Sequence, residues 1–201
     1  MKHTFLLLPI LLCTSILAAQ NPSLKALDHS DFLIWKKIQD QQISADGSFA
    51  TYRLVPGEGD PNLKIYNTLT SSTVQIPRVS KSNIDYNGKF IYGLITPYRD
   101  SLRNLERKKV DKKEWPGDTL FITTGDGSMR VRIPDVKDYK APAKKGDWLA
   151  YSIKAQPMQG DTTKEKKKAK KDIVNLIVRQ LSTGLEDTLR NVKDYAWAEK
   201  A

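Results

Sequence analysis

One pattern limits the folds open to this sequence more than any other: the same order of turn, aromatic residue and strands occurs three times. The first copy reads Ile43-Ser44-Ala45-Asp46-Gly47-Ser48-Phe49-Ala50-Thr51-Tyr52, continues through Leu63-Lys64-Ile65-Tyr66 and closes on Thr73-Val74-Gln75-Ile76-Pro77. The second reads Ile84-Asp85-Tyr86-Asn87-Gly88-Lys89-Phe90-Ile91-Tyr92, then Thr119-Leu120-Phe121-Ile122, a turn at Asp126-Gly127, and Arg130-Val131-Arg132-Ile133-Pro134. The third reads Lys145-Gly146-Asp147-Trp148-Leu149-Ala150-Tyr151, then Asn175-Leu176-Ile177-Val178, a Thr183-Gly184 turn, and Glu186-Asp187-Thr188-Leu189. Asn-Gly and Asp-Gly mark tight hairpins, because both residues accept the positive φ that a two-residue turn requires. In every copy an aromatic residue stands two places after a turn glycine: Phe49 after Gly47, Phe90 after Gly88, Trp148 after Gly146. Alternation along a strand aims such a residue at one face, where its ring fills the space between stacked sheets.

Four-stranded units repeating at ~40 residues, with insertions, are the signature of propeller blades. A β-sandwich also strings short strands between turns, and it is the repetition of one internal order that favours the propeller. The expected fold is all-β: a partial β-propeller of about three four-stranded blades, with a short N-terminal helix, after a signal peptide. The blades are placed at about 40–77, 81–134 and 136–190, within an incomplete propeller spanning 40–201. Val192-Lys193-Asp194-Tyr195-Ala196-Trp197-Ala198-Glu199-Lys200-Ala201 reads as the opening strand of a fourth copy, at 192–201, so the chain is expected to be a fragment of something longer. Residues 20–39 form the lead-in, where Leu27-Asp28-His29-Ser30-Asp31-Phe32-Leu33-Ile34-Trp35-Lys36-Lys37-Ile38 has the pattern of a short helix. Asp28 or Ser30 caps its start, and Ile34, Trp35 and Ile38 make its apolar face.

Residues 1–19 lie outside any fold. Lys2 and His3 precede an almost wholly apolar run over 5–17, and Ala18 and Ala19 follow, the order of a secretory signal cleaved after Ala19. The run falls short of the ~20 apolar residues that cross a bilayer, which speaks against a membrane anchor. Cys13, the one cysteine, follows Leu11 and Leu12 where a lipid-attachment site calls for small residues. Once the signal is removed no cysteine remains, so neither a disulfide framework nor a thiolate metal site is available. Export to the periplasm or the extracellular space is the expected destination. The formal charge of +10 would suit nucleic acid, but an exported chain rarely meets it, and the excess is local. It sits in two insertions between the second and third strands of their copies, at 99–117 and 155–171, the latter ending in Lys164-Glu165-Lys166-Lys167-Lys168-Ala169-Lys170-Lys171. Such runs are ordinarily solvated loops or short helices on one rim.

The stretch 32–67, with Trp35-Lys36-Lys37-Ile38, Gln42-Ile43-Ser44-Ala45-Asp46-Gly47, Tyr52-Arg53-Leu54 and Pro56-Gly57-Glu58-Gly59-Asp60, resembles the start of bacterial S9 (prolyl oligopeptidase family) serine peptidases with an amino-terminal propeller. The resemblance covers essentially everything after the signal peptide, although Ser-x-Asp-Gly also recurs in unrelated propellers. It implies further blades, then a C-terminal α/β-hydrolase domain acting on peptides, with the propeller admitting or refusing substrates.

Such a hydrolase needs a serine on a Gly-x-Ser-x-Gly elbow, a histidine and an aspartate. No such elbow occurs here; Gly125-Asp126-Gly127-Ser128-Met129 is a hairpin turn, and His29 is the only histidine after the signal. No catalytic residue is therefore assigned. His29 has Asp28 and Asp31 beside it but no second histidine or cysteine to complete a metal site, and Asp126, Asp161 and Asp187 are scattered among turns. No phosphate-cradling glycine loop appears, so neither metal nor cofactor is assigned. Two function classes remain: a non-catalytic propeller segment of a secreted peptidase, or a freestanding exported module binding acidic polymers through its basic loops.

Overall fold

The computed structural model describes residues 26–154 and 174–198. Two units are distinguished, the first ending at Ile34 and the second beginning at Trp35. In the first, a 3-10 helix spans His29–Leu33. Asp28 caps it twice over: its carboxylate accepts from the His29 N–H at 2.5 Å, while its own N–H donates to Asp31 Oδ2 at 2.7 Å. This is much shorter than the helix expected over the lead-in.

The second unit is all-β and antiparallel throughout. Strands β1 (Lys36–Ile43), β2 (Phe49–Pro56), β3 (Asn62–Asn67) and β4 (Thr73–Pro77) form one four-stranded meander in sequence order. Strands β5 (Val79–Ile84), β6 (Phe90–Ile95), β7 (Asp118–Thr124), β8 (Arg130–Lys140), β9 (Trp148–Lys154), β10 (Val174–Gln180) and β11 (Glu186–Val192) form a seven-stranded sheet, also in sequence order. That sheet is two four-stranded blades sharing β8. Its first half pairs with β7 through Arg130, Val131, Arg132 and Ile133, and its second half pairs with β9 through Asp138, Tyr139 and Lys140. Among the described residues no sheet closes into a barrel, and the architecture is that of a partial propeller.

The lead-in helix needs correction: Trp35 and Ile38 do not lie on a helix. Ile38 belongs to β1 and sits opposite Leu54 of β2, so the first blade begins at Lys36 rather than residue 40. The apolar spacing at 34, 35 and 38 suits a helical face, but ladder pairing along the whole length of β2 outweighs local propensity.

The joint between successive blades has a single design. Arg78 (φ 63°), Asp135 (φ 57°) and Asn191 (φ 58°) are left-handed, and each is followed by a valine: Val79, Val136 and Val192. Left-handed backbone is uncommon outside glycine, with Asn and Asp the usual exceptions, so its recurrence at one repeat position marks a required bend. It turns the outer strand of one blade into the inner strand of the next. Pro77 ends an edge strand and Pro134 precedes the bend in β8, places where a missing N–H costs little pairing.

Two cores follow from this stacking. Phe49, Leu63 and Ile65 of the first blade pack with Ile91, Ile95 and Phe121 of the second. On the opposite face of the second blade, Phe90, Tyr92, Leu94, Leu120 and Ile122 pack with Leu149, Tyr151 and Ile177 of the third. The second blade is thus buried on both faces, and β6 reads Phe-Ile-Tyr-Gly-Leu-Ile with every residue buried.

The hairpin turns at Asp46 and Asp126 are built alike. Asp46 Oδ1 accepts from the Ser44 hydroxyl (2.6 Å), the Ser48 N–H (3.0 Å) and the Ser48 hydroxyl (2.8 Å), while Ser44 Oγ accepts the Phe49 N–H at 3.1 Å. Asp126 repeats this with the Thr124 hydroxyl, the Ser128 N–H (3.0 Å) and the Ser128 hydroxyl (2.8 Å). These donors, Ser44 and Thr124 first, hold both carboxyls down at about 2, from an ordinary 3.8. A depressed carboxyl stabilises the folded turn above the ordinary value, and that contribution disappears as pH falls through about 2. Carboxyl-carbon NMR titration is expected to place both midpoints near 2, and Ser48→Ala to raise that of Asp46 toward 3.8. An Asp46 midpoint at 3.8 in the unaltered chain would refute this turn geometry.

The insertion over 99–117 carries the helix α1 (Arg99–Arg107) and a 3-10 turn (Lys112–Glu114). The first blade holds α1 at its start, because Asp60 Oδ1 accepts the Arg99 N–H at 3.1 Å and Glu58 lies 3.7 Å from Arg103. A carboxylate there suits the positive end of the helix dipole. The lysine-rich insertion at 155–171, the signal at 1–19 and the end at 199–201 lie outside the described residues.

Candidate functional site

The inner strands stand side by side in chain order, and side chains join each to the next. Gln42 on β1 donates to the Ser82 carbonyl (2.9 Å) and accepts the Ile84 N–H (3.0 Å) on β5. Tyr139 on β8 donates to Asn83 Oδ1 on β5 at 2.8 Å, with Lys81 Nζ 4.7 Å from the centre of its ring. Beyond β8, residues 194–197 take the next place. Lys140 Nζ donates to the Tyr195 carbonyl (2.6 Å) and lies 4.5 Å from the Tyr195 ring centre, while the Trp197 indole N–H donates to the Lys140 carbonyl (2.9 Å). Residues 193–198 form no strand, so the expected fourth opening strand follows its neighbour without a ladder of its own.

Between these strands lies a groove of about 690 Å³, lined by Lys81, Asn83, Tyr86, Tyr139, Lys140 and Trp197 among others. Tyr92 stands edge-on to Tyr139 beneath it, with ring centres 5.6 Å apart. Burial, with help from the Asp85 carboxylate, pushes the Tyr92 hydroxyl up to about 12. Burial pushes Tyr139 higher still, aided by Tyr92 and Asp138. Both hydroxyls are therefore protonated at neutral pH and serve as hydrogen-bond groups, not as bases. With ammonium groups and aromatic faces beside them, the groove suits carbonyl and carboxylate groups of an extended ligand. Among the described residues its lining holds no serine, histidine or cysteine. His29, the one histidine among the described residues, lies in the first unit, and Ser128 is held in its turn by Asp126. Among the described residues no cluster of three or more His, Cys, Asp or Glu side chains could hold a metal ion, and no helix is long and apolar enough to cross a membrane.

No family model and no curated protein matches the chain. Among solved structures, an acylaminoacyl peptidase in complex with Z-Gly-Gly-Phe-chloromethyl ketone is similar over 82% of this chain, with 11% identity and a TM-score of 0.47. The acylaminoacyl peptidase of Pyrococcus horikoshii is similar over 83%, with 10% identity and a TM-score of 0.46. A eukaryotic initiation factor is similar over 78%, with 10% identity and a TM-score of 0.40. This chain spans 26%, 27% and 33% of the lengths of those three chains.

The groove was not anticipated from sequence, because its residues come from different copies of the repeat. One signal was available: Val136-Lys137-Asp138-Tyr139 and Val192-Lys193-Asp194-Tyr195 are the same tetrapeptide, and each tyrosine meets a lysine of the preceding inner strand.

Proposed function

We propose that this chain is the non-catalytic, amino-terminal propeller segment of a secreted S9-type serine peptidase, in which further blades and an α/β-hydrolase domain complete the enzyme. The observation that carries the reading is the side-by-side order of the inner strands, linked through Gln42, Asn83 and Lys140. Blades arranged about an axis bring their inner strands together in this way. The peptidase part of the reading rests on the wording of residues 32–67. In this role the groove of Lys81, Tyr139 and Lys140 lies on the path by which peptides reach the hydrolase, and the segment selects among them. Peptide carbonyls and carboxylates are the groups its donors and cations suit.

The segment alone is expected to hydrolyse no peptide, since a nucleophile elbow and a paired histidine are missing. A fluorogenic proline-containing dipeptide checks this: turnover above a heat-killed control, abolished by a fluorophosphonate, would contradict it. A second measurement addresses the whole protein. Antibody raised against this chain should precipitate, from the exported fraction of the producing cells, a much longer protein that a fluorophosphonate probe labels. Recovery only of an unlabelled product no longer than this chain would instead support the exported binding module.

A further inference from the structure

The joint position shared by Arg78, Asp135 and Asn191 asks only for left-handed backbone, which Asp and Asn reach more readily than other residues with a side chain. A long cation at the first joint is therefore not explained by the bend. Its guanidinium is held on two sides: Nη1 donates to the Thr96 carbonyl at 3.0 Å, and the central carbon lies 4.0 Å from the centre of the Tyr98 ring. The remaining edge, formed by Nε and Nη2, bonds to no described residue, and Nε is buried. Among the described residues no carboxylate pairs with Arg78. Arg53 shows what the same edge takes elsewhere in this chain. Its Nη1 also donates to a backbone carbonyl, that of Val79 at 3.4 Å, while Nε (2.6 Å) and Nη2 (2.5 Å) both reach Asp40 Oδ2. Arg179 shares an unpartnered Nε, but Glu186 meets its charge at Nη1.

Arg78 and Tyr98 line a pocket of about 290 Å³ beside the start of α1, with Pro97 and Pro116 among its apolar walls. Ser101 and Thr119 belong to the same lining, and no acidic side chain does. We propose that this pocket binds a carboxylate carried on a small apolar body, the anion resting on the Nε and Nη2 edge of Arg78 with the Ser101 and Thr119 hydroxyls as further donors. The planar guanidinium fork matches a carboxylate, and a buried charged donor without a partner is costly to leave so. One guanidinium with no second cation in the lining balances a single negative charge, which favours a carboxylate over a doubly charged phosphate. Holding the insertion in place does not account for that edge, since the Thr96 bond and the Tyr98 ring engage the other sides of the group. The pocket shares no residue with the groove of Lys81 and Tyr139, so its assignment is independent of the function proposed above.

Nitrogen-15 NMR of the 201-residue chain tests this, with the Arg78 Nε–H and the Ser101 and Thr119 amides followed during titration with isovalerate, isovaleramide or inorganic phosphate. Isovalerate should move these signals together to saturation, the Nε–H downfield, and isovaleramide should bind at least about tenfold more weakly. Arg78→Lys keeps the charge but not the fork, and should remove the response of the Ser101 and Thr119 amides. Should that variant not fold, Tyr98→Leu takes away the stacking ring and should weaken isovalerate binding severalfold. A blocked Ala-Glu-Ala peptide separates the two sources of such a carboxylate. Tighter binding than isovalerate assigns it to an acidic residue of a peptide, and weaker binding to a free organic acid. The absence of a saturable movement at Arg78 overturns the proposal. So does an equal response to isovaleramide or to phosphate, or a response that survives both substitutions.

Discussion

Replacing Gly93 by alanine is expected to cost about 3 kcal/mol or more, the upper end of the range for forcing atoms into a packed interior. An added Cβ would stand 2.1 Å from the Lys81 carbonyl oxygen, 2.9 Å from Ser82 Cα and 2.8 Å from Phe121 Cε1. The first two are backbone atoms of β5, the strand directly paired with Gly93, so no side-chain rotation relieves them. Nor can β5 readily shift, because Gln42 bonds the Ser82 carbonyl and the Ile84 N–H from the neighbouring blade. Reduced unfolded-chain entropy would return only about 0.4–1 kcal/mol of the loss. Urea unfolding followed by circular dichroism measures the difference. An alanine variant within about 1 kcal/mol of the parent would show that β5 and β6 are not held in this register.

Truncating the three equivalent aromatics should have sharply unequal effects. Phe49→Ala and Phe90→Ala are each expected to cost about 3–5 kcal/mol, since each empties a site between two sheets. Phe49 lies in the core shared by the first and second blades, and Phe90 in the core shared by the second and third. Trp148→Ala should cost less than half as much, because water already reaches 40% of that residue. Denaturation midpoints of the three variants decide the matter. A Trp148→Ala cost equal to that of Phe49→Ala would mean that the indole is packed as fully as the Phe49 ring, against its 40% exposure.

The residues that mislead sequence reading do so for identifiable reasons. Gly146 has the look of the turn glycine that Gly47 and Gly88 are, yet the left-handed residue of the third turn is Asp147, at φ 73°. Asp147 is held there by the Ser182 N–H (2.6 Å) and hydroxyl (2.7 Å) and by Gln180 (2.9 Å). Gly146 is needed for space instead, since a Cβ would stand 2.3 Å from Asn87 Nδ2 and 2.7 Å from Asp85 Oδ2. In the lead-in, an apolar spacing that suits a helix yields at Ile38 to pairing with Leu54. Trp148 is 40% exposed, yet Leu149 and Leu176 of the same copy are 0% and 5% exposed. Leu149 points into the core shared with the second blade, the opposite face from Trp148.

What the residues determined unaided was the repeating all-β order, because its signals are local. A carboxylate at Asp46 or Asp126 closes its own turn within two residues, and alternation within a strand decides which side chains share a face. Only the tertiary structure decided what lies across from those faces. Phe49, Phe90 and Trp148 are interchangeable as sequence, and they differ because the first two pack in cores shared with the following sheet, while the described residues place no following sheet against the third. The groove of Lys81, Tyr139, Lys140 and Trp197 has the same origin, since it exists only where strands far apart in the chain are brought alongside one another by the bends at Arg78 and Asp135.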